Sequence, residues 1–257
     1  MRDSVKRLGS GSAAHQGTDD HCVDCPIRER AICSHASDDE LERLNSVKYY
    51  RTYAPGQEIV AAGEQTGAIG SVVEGVVSLS KTMMDGRRQM VGLMFPSDFI
   101  GRPNSPVAPY DAVAVTPVKL CLFSRQQFER ILRETPSVEQ RLLEITLDEL
   151  DAARDWMLLL GRKTAREKIA TFLSILARRS AALMAAPSVD GLTFELPLTR
   201  EAISDYLGLT IETVSRQITA LRKAGVIEMV DSRRVRVPDF TRLLDAAGED
   251  GDGGLID

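Results

Sequence analysis

Four cysteines are the residues of this 257-residue sequence best suited to bind a metal or to carry redox chemistry. Cys22, Cys25 and Cys33 form a C-x2-C-x7-C segment, and Cys121 lies far along the chain. Four thiolates suit either a zinc ion or an iron–sulfur cluster. Structural zinc sites usually take paired ligands from two short knuckles, so this distribution slightly favours a cluster. Zinc, a thiol redox switch and cysteines that are simply buried all stay open.

A second group of residues, between Pro197 and Gly225, has the types and spacing of a helix-turn-helix. Thr199 is suited to cap a first helix, Gly208 to make the turn, and Thr210 to cap a second helix. The alternative is an ordinary helical hairpin whose charged face is solvated.

The second of these helices has an apolar face and a face suited to reading bases. Apolar residues recur at helical spacing at Val214, Ile218 and Leu221. The opposite face carries polar side chains, namely Glu212, Ser215, Arg216 and Thr219. Arg216 can donate two parallel hydrogen bonds to guanine, Glu212 can accept one from cytosine, and Ser215 can touch a thymine methyl group or a phosphate.

The following segment, Val226 to Val237, predicts two short strands around Asp231-Ser232-Arg233. Such a β-wing would bring Arg233, Arg234 and Arg236 to the phosphates of DNA. The predicted DNA contacts are therefore Thr199, Thr210, Glu212, Thr213, Ser215, Arg216, Arg233 and Arg234.

A β-rich region precedes the helix-turn-helix. From about Val47 to Phe123, short apolar or alternating runs are separated by Gly or Pro, which is typical of an antiparallel sandwich or barrel. Cys121 falls in the last of these predicted strands, Val118 to Phe123.

A long helix is predicted next, because Val138 to Leu160 contains neither Pro nor Gly. Leu150, Ala153, Met157 and Leu160 recur at spacings of 3, 4 and 3, as in a coiled-coil seam. The same spacing fits a helix packed on its own sheet. A symmetric DNA reader needs a partner, however, so we favour a dimer helix.

Composition indicates a globular protein in which only one region is basic. No apolar run is long enough to span a bilayer, and the first twenty residues lack a secretory signal, so we expect a cytoplasmic, reducing location and no membrane partner. The net charge is −5, yet residues 161–240 carry 13 Lys and Arg against 9 Asp and Glu, a local charge of +4. Phosphate affinity depends on that local patch.

The β region, the long helix and the motif G-L-T-I-E-T-V-S-R at residues 208–216 together resemble the superfamily of the cyclic AMP receptor protein and FNR, the fumarate and nitrate reduction regulator. The similarity covers about Cys22 to Val237. Glu212, Ser215 and Arg216 match the E-x-x-S-R of FNR-type recognition helices. That match implies double-stranded DNA as the partner and inverted TTGAT half-sites as the target.

The resemblance also implies a cofactor. FNR-type oxygen sensors, including the FnrL- and FnrN-like members with a similar cysteine spacing, hold a [4Fe-4S] cluster at positions matched here by Cys22, Cys25, Cys33 and Cys121. It implies an oxygen-responsive homodimer, mainly an activator of anaerobic or microaerobic genes, that weakens when oxygen degrades the cluster. Where the enteric regulator has an acidic interface residue, this chain has Ala153, so the extent of dissociation stays open.

The resemblance predicts an α+β fold with an antiparallel β-roll or jelly-roll sensor domain, a long dimerisation helix and a winged helix-turn-helix. The predicted segments are a flexible arm (1–20), a cysteine-bearing cluster segment (21–46), the β-roll sensor domain (47–135), the dimerisation helix (136–161), the winged helix-turn-helix domain (162–240) and an acidic tail (241–257). The turn containing Asp85, Gly86 and Arg87 resembles, in position only, the loop with which this superfamily contacts RNA polymerase.

Other effectors are disfavoured. Cyclic-nucleotide binders of this superfamily have a Glu and then an Arg-Ser pair after the F-x-G-like turn, whereas Phe99-Ile100-Gly101 is followed by Arg102 and Pro103. All histidines (His15, His21 and His35) precede the β region, which argues against a haem ligand and against a cupin-type metalloenzyme. We therefore expect no cyclic nucleotide and no catalysis.

Overall fold

The computed structural model describes residues 21–249. The predicted arm, with His15, and residues 250–257 of the predicted tail lie outside this range. The described helices are α1 (Asp38–Val47), α2 (Arg125–Glu134), α3 (Pro136–Arg162), α4 (Ala165–Leu183), α5 (Arg200–Leu207), α6 (Ile211–Lys223) and α7 (Phe240–Ala247). The described strands are β1 (Tyr49–Tyr53), β2 (Glu58–Val60), β3 (Ala68–Glu74), β4 (Val77–Thr82), β5 (Arg88–Met94), β6 (Phe99–Ile100), β7 (Asp111–Ala114), β8 (Val118–Ser124), β9 (Thr193–Glu195), β10 (Glu228–Met229) and β11 (Arg234–Arg236).

Strands β1 to β8 form two antiparallel sheets, in the orders β1-β8-β3-β6 and β2-β7-β4-β5. One face of each sheet contributes to a shared core, in which Val72, Leu120 and Leu122 meet Val77 and Ala112. This arrangement is the predicted β-roll. The two-residue strand β6 was not foreseen, since so short a run shows no alternation.

The opposite face of the first sheet is covered by the cysteine segment, residues 22–36, and by helices α1 to α3. Because side chains alternate along a strand, Ile69, Ser71 and Val73 of β3 point to this covered face. Cys121 of β8 lies opposite Ser71 in register and shares the face. The sheet therefore holds the fourth cysteine against the segment that carries the other three.

Gly70 permits the close approach of β3 to β8 at this point. A Cβ atom on Gly70 would lie 1.9 Å from the carbonyl oxygen of Cys121, so an added methyl group must displace backbone. We expect Gly70→Ala to lower the free energy of unfolding by about 3 kcal/mol, at the upper end for overpacking. Urea denaturation measures the change. Gly67→Ala is the matched control, because a Cβ there meets nothing within 4 Å, and equal stability of the two variants would contradict the expectation.

Helix α3 begins at Pro136, a residue favoured in a first helical turn, and buries Val138 near its start and Leu159 near its end. Of the predicted seam residues, Leu150 and Met157 are 46% and 74% exposed, and Ala153 is also exposed. Leu160 differs, because it turns toward the carboxy-terminal domain and packs half-buried on that core.

The carboxy-terminal domain packs α4 against α5, α6, α7 and a small sheet of order β10-β11-β9. The two predicted wing strands are present, and β9 adds a third strand that the sequence did not indicate. The acidic tail was expected from residue 241, but Leu243 and Ala247 are buried in the domain core. Residues 240–247 form a helix because their apolar residues recur at helical spacing, so the domain extends beyond residue 240.

The β-roll and the carboxy-terminal domain are in contact. Arg179 of α4 pairs with Asp98, with Nη1 2.9 Å from Oδ1, and Trp156 of α3 stacks on Tyr206 of α5 with ring centroids 4.2 Å apart. Gln89 of β5 donates a hydrogen bond to the Asp205 carbonyl at 2.9 Å. Within residues 21–249, no helix has the length and apolar character needed to cross a bilayer.

Candidate DNA-binding surface and cysteine site

Three local signals build the helix-turn-helix as predicted. The Thr199 hydroxyl accepts a hydrogen bond from the backbone N–H of Ala202 at 3.1 Å and starts α5. Gly208 ends that helix in the left-handed region, with φ 62°, which a side chain would disfavour. The Thr210 hydroxyl accepts from the backbone N–H of Thr213 at 3.2 Å and starts α6.

Helix α6 presents its polar face to solvent. Val214, Ile218 and Leu221 are buried against the rest of the domain. Glu212, Ser215 and Arg216 are exposed in the first two turns. The predicted base-reading groups therefore lie at the amino-terminal end of α6, which is the end of a recognition helix that meets base edges.

Two threonines support the arginine on this face. Arg216 Nη2 donates to Thr213 Oγ1 at 3.3 Å, and the Thr210 hydroxyl lies 3.0 Å from the same oxygen. Thr219, which we predicted on the polar face beside Ser215 and Arg216, is half-buried, and its hydroxyl donates a hydrogen bond to the Ser215 carbonyl. Thr210 and Thr213 thus restrict the Arg216 side chain before any DNA is bound.

The wing turn is organised by Asp231. Its carboxylate accepts from the backbone N–H groups of Arg233 and Arg234, each at 2.8 Å, and from Arg234 Nε at 2.6 Å. These hydrogen bonds lower the pKa of Asp231 to about 2. Arg236 pairs with Glu228 at 2.9 Å. Among the described residues Arg233 forms no ion pair, so it is the wing arginine most available to phosphate.

The cysteine site comprises the four cysteines and the residues packed on them. Cys22 is buried, and Cys25, Cys33 and Cys121 are half-buried. Cys22, Cys33 and Cys121 share one apolar cluster, and Cys25 packs with Cys33 and Cys121 in a second cluster beside it. The fold thus brings together all four cysteines that the sequence singled out.

Burial favours the neutral thiol at three of the cysteines, because it raises their pKa values. Burial raises the pKa of Cys33 to about 11, and it also raises the pKa values of Cys22 and Cys121. The other thiolates raise the pKa of Cys121 further, which is an effect of their proximity. Arg28 acts in the opposite direction on Cys33, and its guanidinium donates to the Cys33 carbonyl at 2.6 Å.

Four neighbouring thiols are a donor set that either a zinc ion or an iron–sulfur cluster can use. In residues 21–249 no group of three His, Cys, Asp or Glu side chains is placed to hold one metal ion. Around one zinc ion the sulfurs lie within about 4 Å of each other, because Zn–S bonds are about 2.3 Å. Four cysteines on a [4Fe-4S] cluster bind different irons, so their sulfurs stand further apart. Four neighbouring thiols without single-ion geometry are compatible with that wider arrangement.

The cysteine segment is also joined to α3, a contact that no sequence pattern indicates. Arg141 Nη2 donates to the Arg30 carbonyl of the segment at 2.9 Å, and Ser137 of α3 donates to Glu40 of the neighbouring α1 at 2.9 Å. Apolar residues of α3 complete the same cluster as Cys22 and Cys33, namely Val138, Leu142 and Ile145. The cysteine site and the first three turns of α3 therefore form one packed unit.

The face of α3 away from this unit carries an exposed row of large apolar side chains: Leu143, Leu147, Leu150, Met157 and Leu158. The predicted seam began only at Leu150, although the spacing of 4 and 3 already extends back to Leu143. Arg154 interrupts the row between Leu150 and Met157, and Leu150 also lines a cavity between the β-roll and α3. Exposed large apolar side chains grouped on one helix face are candidates for an interaction surface.

The turn between β4 and β5 is the predicted contact with RNA polymerase. In the turn between β4 and β5, Gly86 has φ 86° and Arg87 Nε donates to Asp85 at 2.8 Å, beside the exposed Met83 and Met84. Contact of this turn with RNA polymerase stays a prediction.

A cavity of about 720 Å³ lies between the β-roll and α3. Its lining includes Arg51, Arg102 and Glu149, but this Glu comes from α3 rather than from the turn after Phe99. The expectation that no cyclic nucleotide binds stays a prediction.

The β-roll, the long helix and the winged helix-turn-helix define the class of transcription regulators with an amino-terminal effector domain. Residues 167–246 match the family model of the Crp-like helix-turn-helix domain, and residues 50–135 match that of the cyclic nucleotide-binding domain.

Relatives narrow the class. The chain is 57% identical over 234 residues to the transcriptional activator protein FnrL of Cereibacter sphaeroides, covering 91% of this chain and 94% of that one. It is 27% identical to the fumarate and nitrate reduction regulatory protein of Escherichia coli, over 95% of each chain. The solved structure of FixK2 from Bradyrhizobium japonicum superposes with a TM-score of 0.70 at 34% identity, covering 78% of this chain and 97% of that chain. The protein belongs to the FNR/FixK family of transcriptional activators, within the cyclic AMP receptor protein/FNR superfamily, and is a DNA-binding regulator rather than an enzyme.

Proposed function

We propose that this activator is an oxygen-responsive regulator whose four cysteines hold a [4Fe-4S] cluster. The observation that carries the proposal is the packing of the cysteine segment on α3, through the Arg141 contact to Arg30 and the shared apolar cluster. A metal centre at this place has a direct mechanical connection to the helix that bears the exposed apolar row. The alternative, a zinc site or thiol switch in the same cysteines, would use the same connection.

The chain's own residues account for the coupling. With the four thiolates tied together, the cysteine segment is held on the sheet, and Val138, Leu142 and Ile145 are held beneath it. The bound cluster supplies an oxygen-labile bond network among these thiolates. Without it, the segment keeps only its apolar contacts and a few hydrogen bonds, so the position of α3 is less restricted.

The output follows from the dimer. Two copies joined along the exposed row of α3 present two α6 helices, which we propose read inverted TTGAT-like half-sites. Arg216 contacts the guanine, Glu212 accepts from cytosine, and Ser215 meets a thymine methyl group or phosphate. Arg233 contacts phosphate from the wing, which adds affinity without sequence preference. A monomer has one such helix and loses the contribution of the second half-site.

Metal and sulfide analysis under strict exclusion of oxygen tests the cluster. We expect about four iron and four sulfide per chain, with visible absorption that bleaches in air. Cys25→Ser should lose the iron, the sulfide and the visible absorption while its far-ultraviolet circular dichroism stays that of the wild type. Stoichiometric zinc with no iron or sulfide would instead favour the alternative.

A further inference from the structure

We propose that the hydroxyl group of Ser71 donates a hydrogen bond to a sulfur at the cysteine site and thereby slows the loss of the cluster in air. The inference rests on the proposed function, since it requires that the four cysteines hold a metal–sulfur group. Ser71 is 50 positions away from Cys121, its partner in the sheet.

Ser71 lies within reach of the cysteine site. It lies on β3 between Ile69 and Val73, on the face that the cysteine segment covers, and it is 2% exposed. Its cross-strand partner is Cys121. Directly opposed residues in antiparallel strands have Cβ atoms about 4.5–5.5 Å apart, within the reach of a hydroxyl and a sulfur or of an atom bound to that sulfur.

The Ser71 hydroxyl is also unsatisfied. Ser71 Oγ is buried and has no hydrogen-bond partner in the described part of the chain. Ser78 and Ser80 of the β-roll are satisfied, because Ser78 donates to the Val113 carbonyl and Ser80 accepts from Arg88. The buried hydroxyls of Ser34 and Ser97 also lack a partner in the described residues, but neither of these serines is paired with a cysteine in the sheet. A buried hydroxyl without a partner costs stability, and an alanine would avoid that cost. An acceptor supplied by a group bound at the four cysteines would satisfy this hydroxyl.

Hydrogen bonds to the sulfurs of an iron–sulfur cluster stabilise its more electron-rich state and raise its reduction potential. If the four cysteines hold such a group, O2 would attack it by accepting one electron from it and becoming superoxide. A donor at Ser71 makes that electron harder to remove. Removing the donor therefore speeds the reaction with oxygen while leaving the four thiolate ligands unchanged.

The test compares full-length wild type with Ser71→Ala, Ser71→Thr and Ser78→Ala, all purified without oxygen. Iron and sulfide are quantified first, and the decay of the visible absorption is then followed in air-saturated buffer. We expect Ser71→Ala to decay roughly twofold to tenfold faster than wild type, the factor that corresponds to one ordinary hydrogen bond. Ser71→Thr, which keeps the hydroxyl, and Ser78→Ala, a buried serine outside the site, should decay as wild type does.

The outcomes separate this inference from the proposed function. Equal decay rates in fully loaded wild type and Ser71→Ala would overturn the role of Ser71 and leave the cluster standing. A wild type without iron and sulfide would overturn both. A purely structural role predicts a lower urea midpoint for metal-free Ser71→Ala, whereas our proposal predicts a midpoint equal to or above that of the metal-free wild type, and a lower one would count against it.

Discussion

Arg216→Ala should abolish discrimination between guanine and other bases in the proposed TTGAT palindrome. The Arg216 side chain is exposed in the second turn of α6, and a hydrogen bond to Thr213 restricts its conformation. Its remaining guanidinium N–H groups can donate to guanine. A good bidentate contact discriminates by about 1–3 kcal/mol, so a palindrome bound by both protomers should lose about 2–6 kcal/mol. Anaerobic binding titrations against the palindrome and against a copy with both guanines replaced measure the loss.

The matched control is Arg222→Ala, which removes the same charge from an exposed position in the last turn of the same helix. This variant should lower the affinity for both DNA duplexes to a similar extent, because a lost phosphate contact carries no base preference. If Arg216→Ala still distinguished the two duplexes as wild type does, another residue of α6 would have to read the guanine, and our assignment would be wrong.

The helix-turn-helix could be predicted from sequence because its signals are local. A threonine cap, a glycine in the left-handed region and an apolar spacing of 4 and 3 each act within about one or two turns. The structure places Thr199, Gly208 and Thr210 in those roles. The first step of the cysteine prediction was also local, since it depended on residue type and spacing.

The connections between elements could not be predicted in this way. The Arg141 contact to Arg30 joins residues 111 positions apart, and the pairing of Ser71 with Cys121 depends on the strand order of a sheet. Helix α7 was missed for a different reason. The acidic residues of the tail dominated its composition, while Leu243, Leu244 and Ala247 already had helical spacing.

The exposed row on α3 was only partly predicted from the sequence, because the predicted seam began at Leu150. Spacing alone did not distinguish a helix packed on its own sheet from a dimer helix. The structure separates the two faces, because Leu142 and Ile145 pack toward the cysteine site whereas Leu143 and Leu147 remain exposed. The same face contains Ala153, so no acidic side chain at that position opposes its partner across a dimer seam.

Leu150→Asp should dissociate the anaerobic dimer, which would place this row at the subunit interface. Burying a leucine contributes about 1.5–3 kcal/mol, and a dimer contains two copies. The substitution should therefore weaken association by roughly two to four orders of magnitude, and paired like charges at the seam add to the loss. Sedimentation velocity without oxygen measures the dissociation, and affinity for a TTGAT palindrome should fall to that expected for one half-site.

Met184→Asp is the matched control, because Met184 is an exposed apolar residue at the end of α4, outside the exposed row. It should sediment as a dimer and bind the palindrome as wild type does. If the Leu150→Asp variant remained dimeric, the subunit interface would have to lie elsewhere. Wild type examined before and after exposure to air completes the series. The cysteine site packs on the opposite face of the same helix, so loss of the cluster should shift the dimer toward monomer. Identical sedimentation before and after exposure would reject oxygen control of dimerisation.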